Sequence, residues 1–250
     1  MQQPLISIIT PNYNSEKFIT DTIESVINQT YENWELIIVD DYSKDQSIDI
    51  IKQYSDKDPR IQLIKLENNS GPGICRNKGI SKASGKYLTF IDSDDLWLEN
   101  FLEISMKHII HSNGFVFASY HRYDENLEPK YKDFIVPKSV TYSDILKTNS
   151  ISCLTAFIDI EKLGKFYMPD VRYRQDMGLW LQYLKKIKTA KGIECPLAIY
   201  RIRANSHSRN KFQLIKPQWH FYRKVENLSV GLTIYYIIFW MINGLKKYYS

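Results

Sequence analysis

Residues Lys86 to Leu98 read KYLTFIDSDDLWL, and the fold turns on this stretch. Tyr87, Leu88, Phe90 and Ile91 form a short apolar run behind Gly85, and the run ends in the acids Asp92, Asp94 and Asp95. Such a run, bounded by a turn residue and a polar cluster, predicts a buried strand that stops at a water-facing edge. The three acids fall within four positions and repel one another, so they need full solvation or a shared cation. Mg2+ and Mn2+ prefer oxygen ligands and usually take one or two protein carboxylates, with substrate phosphates completing the sphere. Asp-x-Asp at a strand end therefore suits a metal and a diphosphate. An Asp-rich turn, with Asp94 or Asp95 capping a helix that begins at Leu96, Trp97 and Leu98, would account for the same residues.

Outward from this centre the pattern repeats. Leu5 to Thr10 (LISIIT) predicts a first buried strand, stopped by Pro11 and the asparagines of TPNYN. An amphipathic helix follows, with Phe18, Ile19, Ile23, Val26 and Ile27 on one face and Ser15 as its expected cap. Trp34 to Val39 (WELIIV) is a second strand, ended by Asp40, Asp41 and Ser43, and Ser47 to Tyr54 a second helix. Arg60 to Leu66 is a third strand running into the NNSGPG loop at Asn68 to Gly73, and a helix to about Ala83 leads back to the central stretch. Strands alternating with helices imply right-handed crossovers and a mostly parallel sheet covered on both faces. Ligands of such sheets sit beyond the carboxyl ends of the strands. TPNYN, DDYSKD, NNSGPG and DSDD all follow predicted strands, which sets four polar clusters on one rim. Each alone is ordinary turn chemistry; their coincidence points to a site.

Beyond residue 98 the signal thins. Phe101 to Ile110 predicts a helix, Gly114 to Tyr120 a strand, Tyr123 to Lys138 a loop, Tyr142 to Leu146 a short helix and Ser152 to Ile158 a strand. In YRQDMGLWLQYL (Tyr173 to Leu184), Met177, Trp180, Leu181 and Leu184 make an apolar stripe at helical spacing. Asp176 then stands in the first turn, where helix capping is the plain alternative to a chemical role.

The 250 residues carry a net charge of +5, enough chain for a substantial core and most simply one α/β domain with an appendage. Between Cys195 and Val225 there is no Asp or Glu, whereas Arg201, Arg203, Arg209, Lys211, Lys216, Arg223 and Lys224 fall there. This asymmetry favours phosphates or a membrane surface as partners. Cys75, Cys153 and Cys195 fit neither a zinc pattern nor paired disulfides, which implies a reducing compartment. The N-terminus lacks the basic start and long apolar core of a signal peptide, so cytosolic synthesis is expected. Leu228 to Leu245 holds 18 residues without a charge, followed by Lys246 and Lys247. Its aromatics, glycines and Asn243 favour an amphipathic helix lying on the inner face of the cell membrane, over a span or a docking helix for a partner subunit.

The quoted motifs together resemble the amino-terminal half of the family-2 inverting glycosyltransferases, which have a GT-A-like fold. The matching pieces are Thr10-Pro11-Asn12-Tyr13-Asn14, Val39-Asp40-Asp41 with Ser43 and Asp45, Arg76-Asn77 with Gly79, and Ala83 to Gly85 leading to Asp92-Ser93-Asp94-Asp95. The likeness is close over residues 4 to 98 and continues at isolated points to about residue 210. It implies a catalytic domain over residues 1–208, with a nucleotide-sugar half to residue 98 and an acceptor half beyond, and a helical tail over 209–250. By the resemblance, Pro11, Tyr13, Asn14, Asp41, Arg76, Asp92, Ser93 and Arg201 would contact the nucleotide-sugar. Tyr13 would lie on the nucleobase and ribose, Asp41 would accept from a base imide, and Asp92 would face the ribose or the metal. For Arg76 a pair with a surface acid is the plain alternative.

Asp94 would ligate Mn2+ or Mg2+. His207, in Ser206-His207-Ser208 after Tyr200-Arg201, would be a second metal or phosphate ligand or else a solvated loop residue. Arg201 or Arg203 would pair with phosphate, for which a guanidinium offers bidentate donors. The family carries Glu-Asp before Leu-Trp, its second member the base. Here Gln175-Asp176 precedes Leu179-Trp180, so Asp176 would be the base, with the supporting acid replaced. The implied reaction moves a sugar from a nucleotide-sugar, expected to be UDP-linked, to a hydroxyl of a glycan or lipid-linked saccharide in surface polysaccharide biosynthesis. No nucleic-acid partner is expected, and homo-oligomerisation is left open. Two rivals use the same residues. One is a haloacid-dehalogenase-type phosphohydrolase, which wants Thr or Val where Leu96 stands; the other is a membrane-attached binding module whose site is inactive through Gln175.

Overall fold

The computed structural model describes residues 3–203 and 211–249, without side-chain placement at 211–213 and 244–249. In chain order the first half runs β1 (Ile6–Asn12), α1 (Ile19–Ile27), β2 (Trp34–Asp40), α2 (Ser47–Ser55), β3 (Ile61–Lys65), α3 (Pro72–Lys82) and β4 (Tyr87–Phe90). It continues through β5 (Leu96–Trp97), α4 (Phe101–Ile109), β6 (Phe115–Tyr123), β7 (Pro129–Phe134), β8 (Ser139–Val140) and α5 (Tyr142–Lys147). The last part is β9 (Phe157–Asp159), α6 (Ile160–Leu163), α7 (Gln175–Lys186), β10 (Ala190–Arg201), α8 (Lys211–His220) and α9 (Val230–Tyr249).

Among the described residues the strands form one sheet in the order β3-β2-β1-β4-β9-β6-β10-β5, with β7 on β6 and β8 on β10. The pairs β3–β2, β2–β1, β1–β4 and β6–β10 are parallel. Short β9 runs antiparallel to both β4 and β6, so the longer strands still share one direction. Their carboxyl ends share an edge, because Asn12 pairs with Asp40 across β1 and β2, and Arg201 with Tyr123 across β10 and β6.

Alternation along β1 and β2 feeds two cores. Ile6, Ile8, Leu36 and Ile38 pack with Ile19 and Ile23 of α1, Ile51 of α2 and Phe101 of α4. Ile9, Ile37 and Val39 face the other way, toward Ile80 of α3, Ile145 of α5, Trp180 of α7 and Ile237 of α9. The fully buried strand patterns follow from this two-sided cover. Gly79 lets α3 pack closely on β1: a Cβ there would lie 2.5 Å from Cγ2 of Ile9.

Several expectations change. The 123–138 segment is not all loop, because Pro129–Phe134 pairs with β6. Of Ser152 to Ile158 only the end is strand; Cys153–Thr155 is a 3-10 turn. β10 is a long strand that the sequence pattern did not announce. Ser15 does not cap α1 through its side chain, which donates instead to Oδ1 of Asn12. Asp94 and Asp95 cap no helix: Leu96 and Trp97 pair with β10, and the next helix starts at Phe101. Among the described residues no helix is long and apolar enough to cross a membrane.

Candidate active site

The carboxyl edge is built first from side chains that tie loops together. Asp40, fully buried at the end of β2, accepts from Nδ2 of Asn12 at 2.7 Å and from the backbone N–H and hydroxyl of Ser43. Asn14, held at a left-handed φ of 47°, receives the Lys44 N–H on Oδ1 at 2.8 Å. Asp41 accepts the N–H groups of Ser70 and Gly71 at 2.6 and 2.8 Å and so folds the NNSGPG loop over the end of β2. A carboxylate has about four acceptor positions, so Asp41 keeps capacity beyond these two bonds.

Beside this frame opens a cavity of about 280 Å³. Arg76 from α3, Asp92 after β4 and Asp176 from α7 line it together, with Asn149, Cys153 and the rings of Tyr120, Phe134 and Tyr200. Arg76 is buried and its guanidinium pairs with Asp92. Burial opposes the charge on Arg76, but Asp92 outweighs it and holds the guanidinium firmly protonated. Nε of Arg76 is buried with no hydrogen-bond partner among the described residues.

Asp176 stands in the first turn of α7, and its Oδ2 accepts from Nδ2 of Asn149 at 2.9 Å. Arg174, just before α7, has a left-handed φ of 67°, and burial pushes its guanidinium down against the pull of Asp176. The Gln175 side chain lies over Gly73, where a Cβ would come within 2.8 Å of its Cδ. A neutral amide thus packs where the resembling family carries an acid.

The acids after β4 diverge. Asp94 meets Nε of Arg203 at 2.8 Å, while burial and Asp92 push its carboxyl up. Asp95 is buried and accepts the Arg201 N–H at 2.8 Å; burial, then Asp94 and Asp92, raise it well above the usual carboxylate range. An excess of negative charge at this depth calls for cations, and Arg76 and Arg203 supply them here. Among the described residues no group of three or more His, Cys, Asp or Glu stands ready to enclose a metal, so an ion would rest on one or two carboxylates. Asp94 fits that mode: its side chain keeps 20% exposure beside Asp92.

The sequence-selected residues therefore separate. Arg76, Asp92 and Asp176 share the cavity, and Ser93 and Asp94 follow Asp92 directly in the chain. Pro11 is buried in β1, and Tyr13 is an exposed ring at its end. Asn14 lines a separate hollow with Lys17, Phe18 and Lys44. Arg201 departs most from expectation. Its guanidinium is buried on Asp21 at 2.8 Å and over the Phe18 ring, so the structure uses it to fasten α1 to the end of β10. His207 lies outside the described residues. Asn149, Cys153, Tyr120 and Phe134 were not anticipated, and Tyr200 only as the neighbour of Arg201. Asn149 and Ser150 follow α5 as ordinary turn residues, so no local pattern singles Asn149 out.

Comparison with known proteins supplies the family and the fold. The family model described as Glycosyl transferase family 2 matches residues 7–159. TuaG of Bacillus subtilis, a glycosyltransferase named for teichuronic acid biosynthesis, is 42% identical over 98% of both chains. WfgD of Escherichia coli, named as a UDP-Glc:alpha-D-GlcNAc-diphosphoundecaprenol beta-1,3-glucosyltransferase, is 36% identical over 99% of this chain and 96% of its own. The crystal structure of S. aureus TarS 1-349 with UDP-GlcNAc superposes with a TM-score of 0.72 at 21% identity, covering 94% of this chain and 71% of TarS. That likeness shows the fold.

Proposed function

This chain belongs to glycosyl transferase family 2, and we propose that it moves a sugar from a UDP-linked donor, with inversion, to a hydroxyl of a lipid-linked saccharide during assembly of a surface polysaccharide. The observation that carries the proposal is the cavity at the carboxyl edge of the sheet where Asp176 of α7 meets the Arg76–Asp92 pair beside β4. The names of TuaG and WfgD support the substrate classes.

In this reading Asp176 takes the proton from the acceptor hydroxyl, whose oxygen attacks the anomeric carbon opposite the diphosphate. Asn149 holds the carboxylate in place for that transfer. Tyr120, Phe134 and Tyr200 give the cavity flat apolar faces on which a sugar ring can rest. Arg76, which lines the cavity, supplies a fixed positive charge toward the phosphates. Asp94, with Asp92 beside it, would hold Mn2+ or Mg2+, which neutralises charge on the departing diphosphate when bound. Tyr13, Asn14 and Asp41 border the nucleoside side of the rim, and Pro11 shapes it from within β1.

We infer from this acceptor class that the protein works at the inner face of the membrane. α9 supports this: Val230, Ile234, Ile238 and Ile242 are exposed at helical spacing, and after Glu226 the chain carries no further acid. UDP release from UDP-glucose and UDP-GlcNAc, measured with Mn2+ and with Mg2+, tests the donor and metal together. Metal-dependent release is expected with at least one donor, and Asp94→Ala should lose it by about 100-fold or more. Absence of release from both donors, or an Asp94→Ala protein with unaltered metal response, would overturn the assignment.

A further inference from the structure

α9 has two faces of different character. Its outer side exposes the residues named above, whereas Thr233 and Ile237 are buried and Tyr236, Trp240 and Asn243 are half-buried against the domain. We infer that this inner face is part of the catalytic apparatus: α9 positions Asp176 by two routes, through Trp240 on Arg174 and through α5 on Asn149. The role rests on Asp176 being the base, as proposed above, and the experiment below separates the two claims.

The first route runs along the chain. Arg174 is the residue at the N-terminal boundary of α7, with no side-chain cap, and its carbonyl accepts the Gly178 N–H at 2.9 Å, closing the turn that contains Asp176. A left-handed φ is an unfavourable state for a residue with a Cβ and persists only where surrounding contacts enforce it. One contact on this side chain is Trp240, whose ring centre lies 5.3 Å from the Arg174 Cζ, within cation–π range, alongside the pull of Asp176 and Tyr222 on the same guanidinium.

The second route crosses α5. The Ser143 hydroxyl and the Tyr236 hydroxyl are 3.2 Å apart, Nδ2 of Asn243 donates to the Lys147 carbonyl at 3.4 Å, and Nζ of Lys147 stands 5.6 Å from the Phe239 ring centre. Just before α9, the Tyr222 hydroxyl donates to the Leu146 carbonyl. α5 ends at Lys147, and Asn149 follows with Oδ1 accepting the Ile151 N–H at 3.3 Å. That bond orients the amide, so its NH2 is the group turned to Oδ2 of Asp176. Both routes begin on one helix and end on one carboxylate. A base displaced by about 1 Å costs on the order of 100-fold in rate, so a brace of this kind bears directly on turnover.

Trp240 is half-buried, and its truncation leaves the two cores intact. The test compares full-length wild type, Trp240→Ala and Trp240→Phe. Three measurements are made: UDP release from UDP-glucose with Mn2+, the UDP-induced melting shift, and hydrogen exchange at amides 175–178. Trp240→Ala should lower kcat by about tenfold or more, leave KM and the UDP shift within about twofold, and speed exchange in the first turn of α7. Trp240→Phe, which keeps an aromatic face for Arg174, should recover most of both losses. Wild-type kcat or wild-type exchange in Trp240→Ala would overturn the brace. A wild-type protein that releases no UDP would instead refute the proposed donor chemistry, and exchange at 175–178 would still decide whether α9 holds the turn.

Discussion

Asp176→Asn gives the sharpest separation of chemistry from structure. Asn has the shape of Asp, and its amide oxygen can take the place of the Oδ2 that accepts from Asn149 at 2.9 Å. The bond then passes from charge-assisted to neutral, a loss of about 1 kcal/mol. For a domain of this size that lowers Tm by about 2–4 °C. The chemical loss is much larger, because an amide cannot accept the acceptor proton. A positioned base contributes about 100- to 10,000-fold, or about 2.7–5.5 kcal/mol of barrier. Donor binding should survive, since Arg76, Asp92 and Asp94 are untouched. The assay is UDP release with an acceptor saccharide at saturating donor, alongside the UDP-induced melting shift. A variant that keeps the shift and loses turnover is expected. Turnover within about twofold of wild type would refute the assignment of the base, and loss of the UDP shift would show that Asp176 acts in binding instead.

Arg76→Met keeps the length of the stem but strands Asp92 without its partner. Breaking a buried pair costs about 3–5 kcal/mol, and because the Asp92 side chain is 31% exposed about half of that is expected in urea unfolding, with donor affinity falling as well. Gly79→Ala drives a Cβ to 2.5 Å from Ile9; overpacking of about 1–3 kcal/mol against a helix-propensity gain of about 1 should leave a net loss visible as a lower Tm. At Asp45, burial pushes the carboxyl up, but the Ser47 hydroxyl and the N–H groups of Glu16 and Ser47 outweigh it, leaving the folded value below the ordinary 3.8. Its stabilisation is therefore present above pH 3.8 and lost as pH falls through the folded value. Asp45→Asn should be the less stable protein at pH 7, with the gap closing on acidification in denaturant titrations.

What could be read from the chain was whatever repeats locally. LISIIT, WELIIV and YLTF declare buried strands because both faces of the sheet are covered, so apolar residues run without interruption. Polar clusters at their ends then fall on one edge by topology, and the Met177–Trp180–Leu184 stripe places Asp176 in a first turn by helical spacing. β10 hid because Lys191, Glu194 and Pro196 interrupt its pattern, and register shifts on either side of Pro196 accommodate them. β7, exposed along most of its length, has no apolar face to announce it.

Partnership across the chain followed a different rule. Nothing near Arg201 indicates that it will be buried on Asp21 while Arg203 takes Asp94, nor does Asn149 signal its bond to Asp176. The tail read as a surface helix from composition, yet its inner residues reach Arg174 and α5. The chain by itself determined the elements, the rim and the candidate acids, because periodicity and turn chemistry act over a few residues. Only the tertiary structure decided which charges neutralise one another and which helix packs against Arg174 and α5, because those contacts depend on packing between segments far apart in sequence.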